Sequence, residues 1–394
     1  MSHLVGSVLR HLPFGPLHTV RRFVADPVGT QQRLLRSLLR RAAETEWGRR
    51  YHFAEIAAAP DAMVAYRERV PLHDYEALRT DAERVRRGAA DVMWPGTFYH
   101  FAVSSGTASA GKIIPVSEEM LAKNRAFSVG TGLNYIVASG RPGLLLGKHL
   151  TLPGRIEPDA GRPEAMVGEV SGLQAERAPA FFTHLYQAVP NEVAFLPNWE
   201  KKLTAIADRT MEMDVRLLVM APTWALVLFR RLIERYNQRH GASATTVGDI
   251  WPNLQVLISG GVALASYRDL LQTQIGLPHL DFVETYGASE GFFSFQYGLH
   301  DRDMLLHLDN GVFFEFVKLD DLRAAETSGK EPHRYTIGEV EPDVRYAPFI
   351  STCSVLWAYG VGDVVRSTST FPHKIVVAGR TGEMIDKYGE AVFG

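Results

Sequence analysis

The feature that most constrains the fold is the alternation of apolar runs and helical stretches between residues 215 and 287. Val215 to Met220 is an apolar, strand-like run, followed by Ala221, Pro222 and Thr223. Thr223 stands where a helix cap belongs and Gly241 where a helix stops, so a helix is predicted to about His240. A second strand, Leu254 to Ser259, leads through Gly260 and Gly261 into a short helix near Ser266 to Gln274, ended by Gly276 and Pro278. A third strand covers Leu280 to Thr285. The order β-α-β-α-β gives neighbouring parallel strands with helices on the sheet faces, because crossovers between parallel strands are right-handed. Gly260-Gly261 and Tyr286-Gly287 then fall at the carboxyl ends of those strands, the edge at which open α/β sheets bind ligands.

A second constraint lies upstream. Phe98 to Val103 reads as a strand, and Ser104-Ser105-Gly106-Thr107-Ala108-Ser109-Ala110-Gly111-Lys112 follows it. Small residues let successive backbone N–H groups turn toward a polyphosphate, hydroxyls add donors, and lysine adds a point charge. Gly106 to Lys112 satisfies the first seven positions of the P-loop pattern, but Ile113 occupies the eighth, where a hydroxyl would hold magnesium. Lys112-Ile113-Ile114-Pro115-Val116 is β-branched and contains proline, so it continues as a strand, whereas a P-loop opens directly into a helix. Ser117 is placed to cap a later helix, with Glu118 and Glu119 favourable in its first turn.

Elsewhere the signals are plainer. Leu34, Leu35, Leu38, Leu39 and Ala42 recur at helical spacing within residues 28–42, with Arg33, Arg36, Arg40 and Arg41 largely on the other side; this predicts a surface helix with its leucines in the core. Residues 154–178, rich in Gly, Pro and Glu, read as a loop. The last eighty residues carry short β-rich runs at 311–317, 338–340 and 362–367, which predict a smaller, mainly antiparallel subdomain. With 42 basic and 44 acidic side chains the formal net charge is −2, so no overall field draws the chain to nucleic acid or anionic lipid. No stretch approaches the roughly 20 apolar residues of a membrane helix. The lone Cys353 allows neither an internal disulfide nor a thiolate metal cluster and reads as a buried thiol in a reducing, cytoplasmic setting. Phe127, Tyr135, Trp224 and Phe292 are explained as core aromatics.

Three motifs in order, Ser104 to Lys112, Tyr286-Gly287-Ala288-Ser289-Glu290 and Tyr359-Gly360-Val361-Gly362-Asp363, resemble those of the adenylate-forming superfamily of acyl-CoA synthetases, luciferases and peptide-synthetase adenylation domains. Within it the chain looks most like a bacterial form of the auxin-responsive Gretchen Hagen acyl-acid amido synthetases. The two serines, glycine and threonine before the small-residue run and lysine match that family's loop. Gln31 to Phe53, with Thr45-Glu46-Trp47-Gly48-Arg49-Arg50-Tyr51, resembles its opening.

The resemblance implies an α/β adenylate-forming large lobe, parallel βαβαβ sheet layers with a smaller β-rich subdomain. It also implies ATP and magnesium as cofactors, and a small carboxylic acid and an amine, an amino acid by preference, as partners. Ser104, Ser105, Gly106, Thr107, Ser109, Gly111 and Lys112 would hold the β- and γ-phosphates, and Gly260-Gly261 would approach the adenine. Tyr286 would stack on the base, with Gly287 and Ala288 beside it and Ser289 near the α-phosphate. Glu290 would coordinate magnesium, Asp363 would accept from the ribose hydroxyls, and Arg380 matches the arginine that follows the third motif. Lys112 and Glu290 are thus the expected catalytic pair.

Two departures stand out. Gly360 replaces a long, often basic residue, and the sequence given stops at Gly394, whereas the family continues into a mobile carboxyl-terminal domain. The expected division is residues 1–379 as the adenylation lobe and 380–394 as the start of a hinge, with the further domain supplied in a longer chain or in trans. The expected reaction is activation of the acid as acyl-AMP and transfer to the amine. The alternatives are thioester formation as in acyl-CoA synthesis, or a non-catalytic ATP- or acid-binding module.

Overall fold

The computed structural model describes residues 15–104 and 111–381. A helical layer opens it. Pro27–Ala42 forms the predicted leucine helix, capped by Asp26, whose carboxylate accepts from the Gly29 N–H at 3.0 Å. Leu35, Leu38, Leu39 and Ala42 are buried in the main core, so the apolar stripe is spent on packing. The buried Gln31 fastens this helix to the sheet: its amide nitrogen donates to the carbonyls of Leu308 and Val312 at 2.8 and 3.0 Å, and its oxygen accepts from the Phe314 N–H at 2.8 Å.

The strands run, in chain order, β1 (His100–Ser104), β2 (Lys112–Val116), β3 (Lys148–Thr151), β4 (Ile156–Pro158), β5 (Met166–Gly168), β6 (Val215–Val219), β7 (Val256–Ser259), β8 (Asp281–Ala288), β9 (Gly291–Phe295), β10 (Met304–Leu306), β11 (Val312–Lys318), β12 (Arg345–Thr352), β13 (Tyr359–Gly360), β14 (Asp363–Thr370) and β15 (His373–Arg380). A small sheet has the order β2-β1-β5-β4, and a large one the order β11-β12-β14-β15-β10-β9-β8-β7-β6-β3, with β13 paired to β12. Strands β6, β7 and β8 are parallel, as the alternation predicts; β3, which the sequence reading did not include, adds a fourth parallel strand beside β6, and β8 turns antiparallel to β9. Two large apolar clusters result, one under the helical layer and the antiparallel strands, the other under the parallel strands.

Three local expectations are corrected. The helix after β6 spans Pro222–His240 with Ala221, not Thr223, at the cap position; Pro222 sits at the first helical position, where its missing N–H costs nothing and its φ is already set. Residues 154–178 are not a loop but β4, β5 and the helix Val170–Glu176, two of whose elements complete the small sheet. Asp159 orders that segment, since its buried carboxylate accepts from the N–H groups of Gly161 and Arg162 at 2.8 and 3.1 Å and meets Arg86 at 2.6 Å. Residues 338–340 form a turn rather than a strand. The antiparallel β-rich region of the last eighty residues is present, and it is hydrogen-bonded through β10 and β9 into the same sheet as the parallel strands. Phe127 and Tyr135 are core residues, and the Tyr135 hydroxyl donates to Asp281 at 3.0 Å.

Candidate active site

β1 and β2 form an antiparallel pair in which Ser104 stands opposite Lys112, so the glycine-rich segment joins two strands, as Ile113 and Pro115 predict, and no helix follows it directly. The helix comes after β2, at Glu118–Ser139, with Ser117 accepting from the Met120 N–H at 2.9 Å. Ser105, Gly106, Thr107 and Ser109 lie outside the described residues. Gly111 closes the loop in a positive-φ conformation, and a Cβ there would stand 3.0 Å from the Val103 side chain.

The second motif occupies the end of β8 and the turn into β9, where the sheet changes from parallel to antiparallel. The Ser289 hydroxyl donates to the Val103 carbonyl at 3.1 Å, tying this turn to the strand that enters the glycine-rich loop. Gly287 and Ala288 stand opposite Phe292 and Gly291 across the β8–β9 pair, and a Cβ on Gly287 would meet the Phe292 ring at 2.6 Å. Glu290 is 6% exposed. Burial pushes its carboxyl up to about 7, against the pull of the Lys112 charge and of its own backbone N–H.

The third motif reaches the same place from β13 and β14. The Lys112 ammonium donates to the Tyr359 hydroxyl at 3.3 Å, and that hydroxyl donates to Glu290 Oε1 at 3.4 Å. Burial, and then the neighbouring Glu290, hold the Tyr359 phenol well above its ordinary range, so it stays a donor. Beside this chain the Tyr286 hydroxyl donates to Asp363 Oδ2 at 2.7 Å, while Arg380 Nε lies 3.7 Å from Asp363 Oδ1, opposite it in the β14–β15 register. The Tyr286 ring packs at 5.2 Å on Phe293, and 9% of the residue is exposed.

Gly260 and Gly261 follow β7 at the expected edge. A Cβ on Gly260 would stand 2.7 Å from Thr285 Oγ1 and 2.8 Å from the Thr285 carbonyl, so the close approach of these two strand ends requires glycine. Gly261 has φ +88° and open space where a side chain would go. Gly360 has a positive reason to lack a side chain: a Cβ there would press on the Phe349 ring at 3.0 Å.

The three motifs therefore converge on one site in two bonded groups, Lys112–Tyr359–Glu290 and Tyr286–Asp363 with Arg380 beside it; the Asp363 charge acts on Glu290, and Ser289 ties the turn after β8 to Val103. Sequence reasoning quoted Tyr359 without giving it a role and passed over Tyr75, whose ring centre lies 5.9 Å from the Lys112 ammonium and which no local pattern singles out. The buried Cys353 thiol, raised to about 12 by burial, is unsuited to act as a nucleophile. A separate cavity of about 270 Å³, with Arg22, Arg41, Trp94 and Lys123 in its wall, contains no residue of the three motifs. No helix among the described residues is long and apolar enough to cross a membrane.

The fold is that of the adenylate-forming ligases. Residues 16–154 and 144–279 match the GH3 family N-terminal domain and residues 305–380 the GH3 family central domain. The chain belongs to the GH3 family. The indole-3-acetic acid-amido synthetase GH3.4 of Arabidopsis thaliana is 24% identical over 420 residues, which take in 89% of this chain and 66% of that protein. GH3.2 of the same plant is 24% identical over 437 residues, 93% of this chain and 76% of the relative. Among solved structures, AtGH3.15 acyl acid amido synthetase in complex with 2,4-DB superposes with a TM-score of 0.74 at 19% identity, over 93% of this chain and 71% of that one. 2-Hydroxyisobutyryl-CoA ligase in complex with 2-HIB-AMP and CoA superposes at 0.59 and 14% identity, over 91% and 69%.

Proposed function

We propose that this chain binds Mg-ATP at the convergence of the three motifs, activates a carboxylic acid as its acyl adenylate and passes the acyl group to an amine, an amino acid by preference. One observation carries the reading: the hydrogen-bonded series Lys112–Tyr359–Glu290 joins a lysine at the exit of the glycine-rich loop to a buried carboxylate and a tyrosine of two other motifs. In the reaction a carboxylate oxygen attacks the α-phosphorus, the bond to the pyrophosphate oxygen breaks, and the electron pair leaves with pyrophosphate.

The residues fit this chemistry. No group of three or more metal-binding side chains occurs among the described residues. Magnesium beside phosphates asks for only one or two carboxylates, and Glu290 offers one, made costly by burial and by the nearby Asp363 charge, which a cation would relieve. Lys112 would meet the phosphates as a positioned charge, Ser289 lies beside the loop that would hold them, and Asp363 would accept from the ribose. Tyr286, at the end of β8, would stack on the base. Because the catalysis asked of the protein is positioning and charge neutralisation, a site preorganised by buried hydroxyls suits it.

The domain division expected from sequence belongs to this reading: residues 1–379 are the adenylation lobe and a hinge starts at Arg380, the last residue of β15. The setting proposed is cytoplasmic, in keeping with a lone buried cysteine. The test is product analysis. ATP labelled at the α-phosphate, incubated with a panel of acids, should give AMP and pyrophosphate, and acyl transfer should follow on adding amino acids rather than coenzyme A. Steady formation of ADP and phosphate by the pure protein would refute it, and transfer to coenzyme A alone would move the chain to the thioester-forming enzymes.

A further inference from the structure

We infer that Tyr75 is a positioning residue for Lys112: with Tyr359 it confines the lysine ammonium beside two aromatic rings and so aims it at the nucleotide, a role that rests on the function proposed above. Tyr75 is the first residue of the helix Tyr75–Arg86, and Asp74 caps that helix by accepting from the Ala77 N–H at 2.9 Å. Its phenol accepts from the Ile113 N–H at 2.9 Å and donates to the Ile113 carbonyl at 3.3 Å. Strand β2 is the edge of the small sheet, so Ile113 has no strand partner on that side, and one side chain satisfies both of its backbone groups.

The residue next to Ile113 is Lys112. Its ammonium lies 5.9 Å from the centre of the Tyr75 ring and 5.7 Å from that of Tyr359, on whose hydroxyl it also donates. Both distances are within cation–π range. A lysine stem is long and flexible, and two rings with one hydrogen bond restrict where its charge can go. Tyr359 is fixed by the same segment of chain. The His73 N–H donates to the Ala358 carbonyl and the Gly360 N–H to the His73 carbonyl, each at 2.9 Å, bracketing Tyr359. The His73 ring bonds the Trp357 carbonyl at 2.8 Å and the Tyr51 hydroxyl at 3.2 Å. Residues 73 and 75, two positions apart, thus set the spacing between the lysine of the first motif and the tyrosine of the third.

The geometry predicts that Tyr75 acts through Lys112 and not only on β2. Tyr75→Phe keeps the ring and loses both bonds to Ile113; Tyr75→Leu loses both features. Tyr75 is partly buried against the main apolar core, so thermal melts of each variant check that it folds. In the first arm the lysines of the intact protein are ¹³C-dimethylated and the Lys112 resonance is identified by its absence in Lys112→Ala. It should lie apart from the other lysines through the two ring currents, move toward them in Tyr75→Leu, and stay near its native place in Tyr75→Phe. A Lys112 resonance unmoved by Tyr75→Leu overturns the inference, whatever the nucleotide does.

The second arm is pyrophosphate release with a saturating acid. Tyr75→Leu should lower turnover roughly ten- to a hundredfold, the size of a misplaced catalytic group, with a much smaller change in the KM for ATP. In the Lys112→Ala background it should cause no further loss. Equal losses in both backgrounds overturn the inference by making Tyr75 a purely structural latch. A native protein that releases no pyrophosphate with any acid, while the resonance behaves as expected, refutes the proposed function and leaves the positioning of Lys112 intact.

Discussion

Replacing Glu290 by Gln isolates what its burial does. The carboxyl titrates near 4.5 in an unfolded chain and near about 7 in the folded one, because burial disfavours its charged form more than Lys112 and the backbone favour it. Below pH 4.5 it is protonated in both states and contributes nothing to the balance. As pH rises from there to about 7, the unfolded chain releases a proton that the folded chain keeps, so stability falls, and above 7 the penalty is complete. At ~1.4 kcal/mol per pH unit across that window the penalty approaches ~3.5 kcal/mol, an upper figure because water and local relaxation soften it. Glutamine has no proton to lose. Urea unfolding of both proteins without nucleotide should therefore show Glu290→Gln gaining ~2 kcal/mol relative to the native protein between pH 5 and pH 8.5. The same substitution should weaken Mg-ATP binding, since the ionised carboxylate is what a cation uses, and the native protein should release a proton on binding near neutral pH. A stability gap that does not change with pH would refute the claim that Glu290 is held protonated by burial. A variant that bound Mg-ATP as well as the native protein would remove Glu290 from the metal site.

Three further outcomes follow from the same geometry. Asp363→Ala should weaken Mg-ATP binding, measured by calorimetry, more than Lys112→Ala does, because Asp363 is assigned to the ground-state grip on the ribose and Lys112 to charge that shifts during transfer; unaltered affinity in both would sink the assignment. Arg334→Met should destabilise the protein by about 3–5 kcal/mol in urea unfolding, since Arg334 and Glu315 form a bidentate pair at 3.0 and 2.6 Å whose side chains are 3% and 0% exposed, and the change strands a buried carboxylate; a loss below 1 kcal/mol would contradict it. Gly260→Ala should cost ~1–3 kcal/mol, because the new methyl would overlap the Thr285 carbonyl as well as its hydroxyl and a backbone must move; a neutral result would mean that the β7 and β8 ends separate freely.

Much of the fold was legible from short stretches of chain. The β-α-β-α-β segment follows from apolar periodicity, and its ends from Gly241 and Gly276, both of which adopt the left-handed conformation that stops a helix. The strand after the glycine-rich loop follows from Ile113, Ile114 and Pro115, and the helix after it from Ser117. The segment 154–178 was misread because composition reports polarity, not partners: the Asp159 carboxylate that orders it finds Arg86 seventy-three residues away. Thr223 failed as a cap for a local reason, the neighbouring proline.

At the site, the sequence alone determined which residue types are present, which strand ends carry them and that the lysine loop is not a P-loop. Each of these depends on neighbours a few positions apart. Only the tertiary structure decided that Lys112 bonds Tyr359 across 247 positions and that Tyr359 bonds Glu290 across 69. The rise of the Glu290 carboxyl, the lack of room at Gly360 and the place of Tyr75 beneath Lys112 were decided in the same way. These properties arise from desolvation and contact between distant segments, and neither exists until the chain has packed.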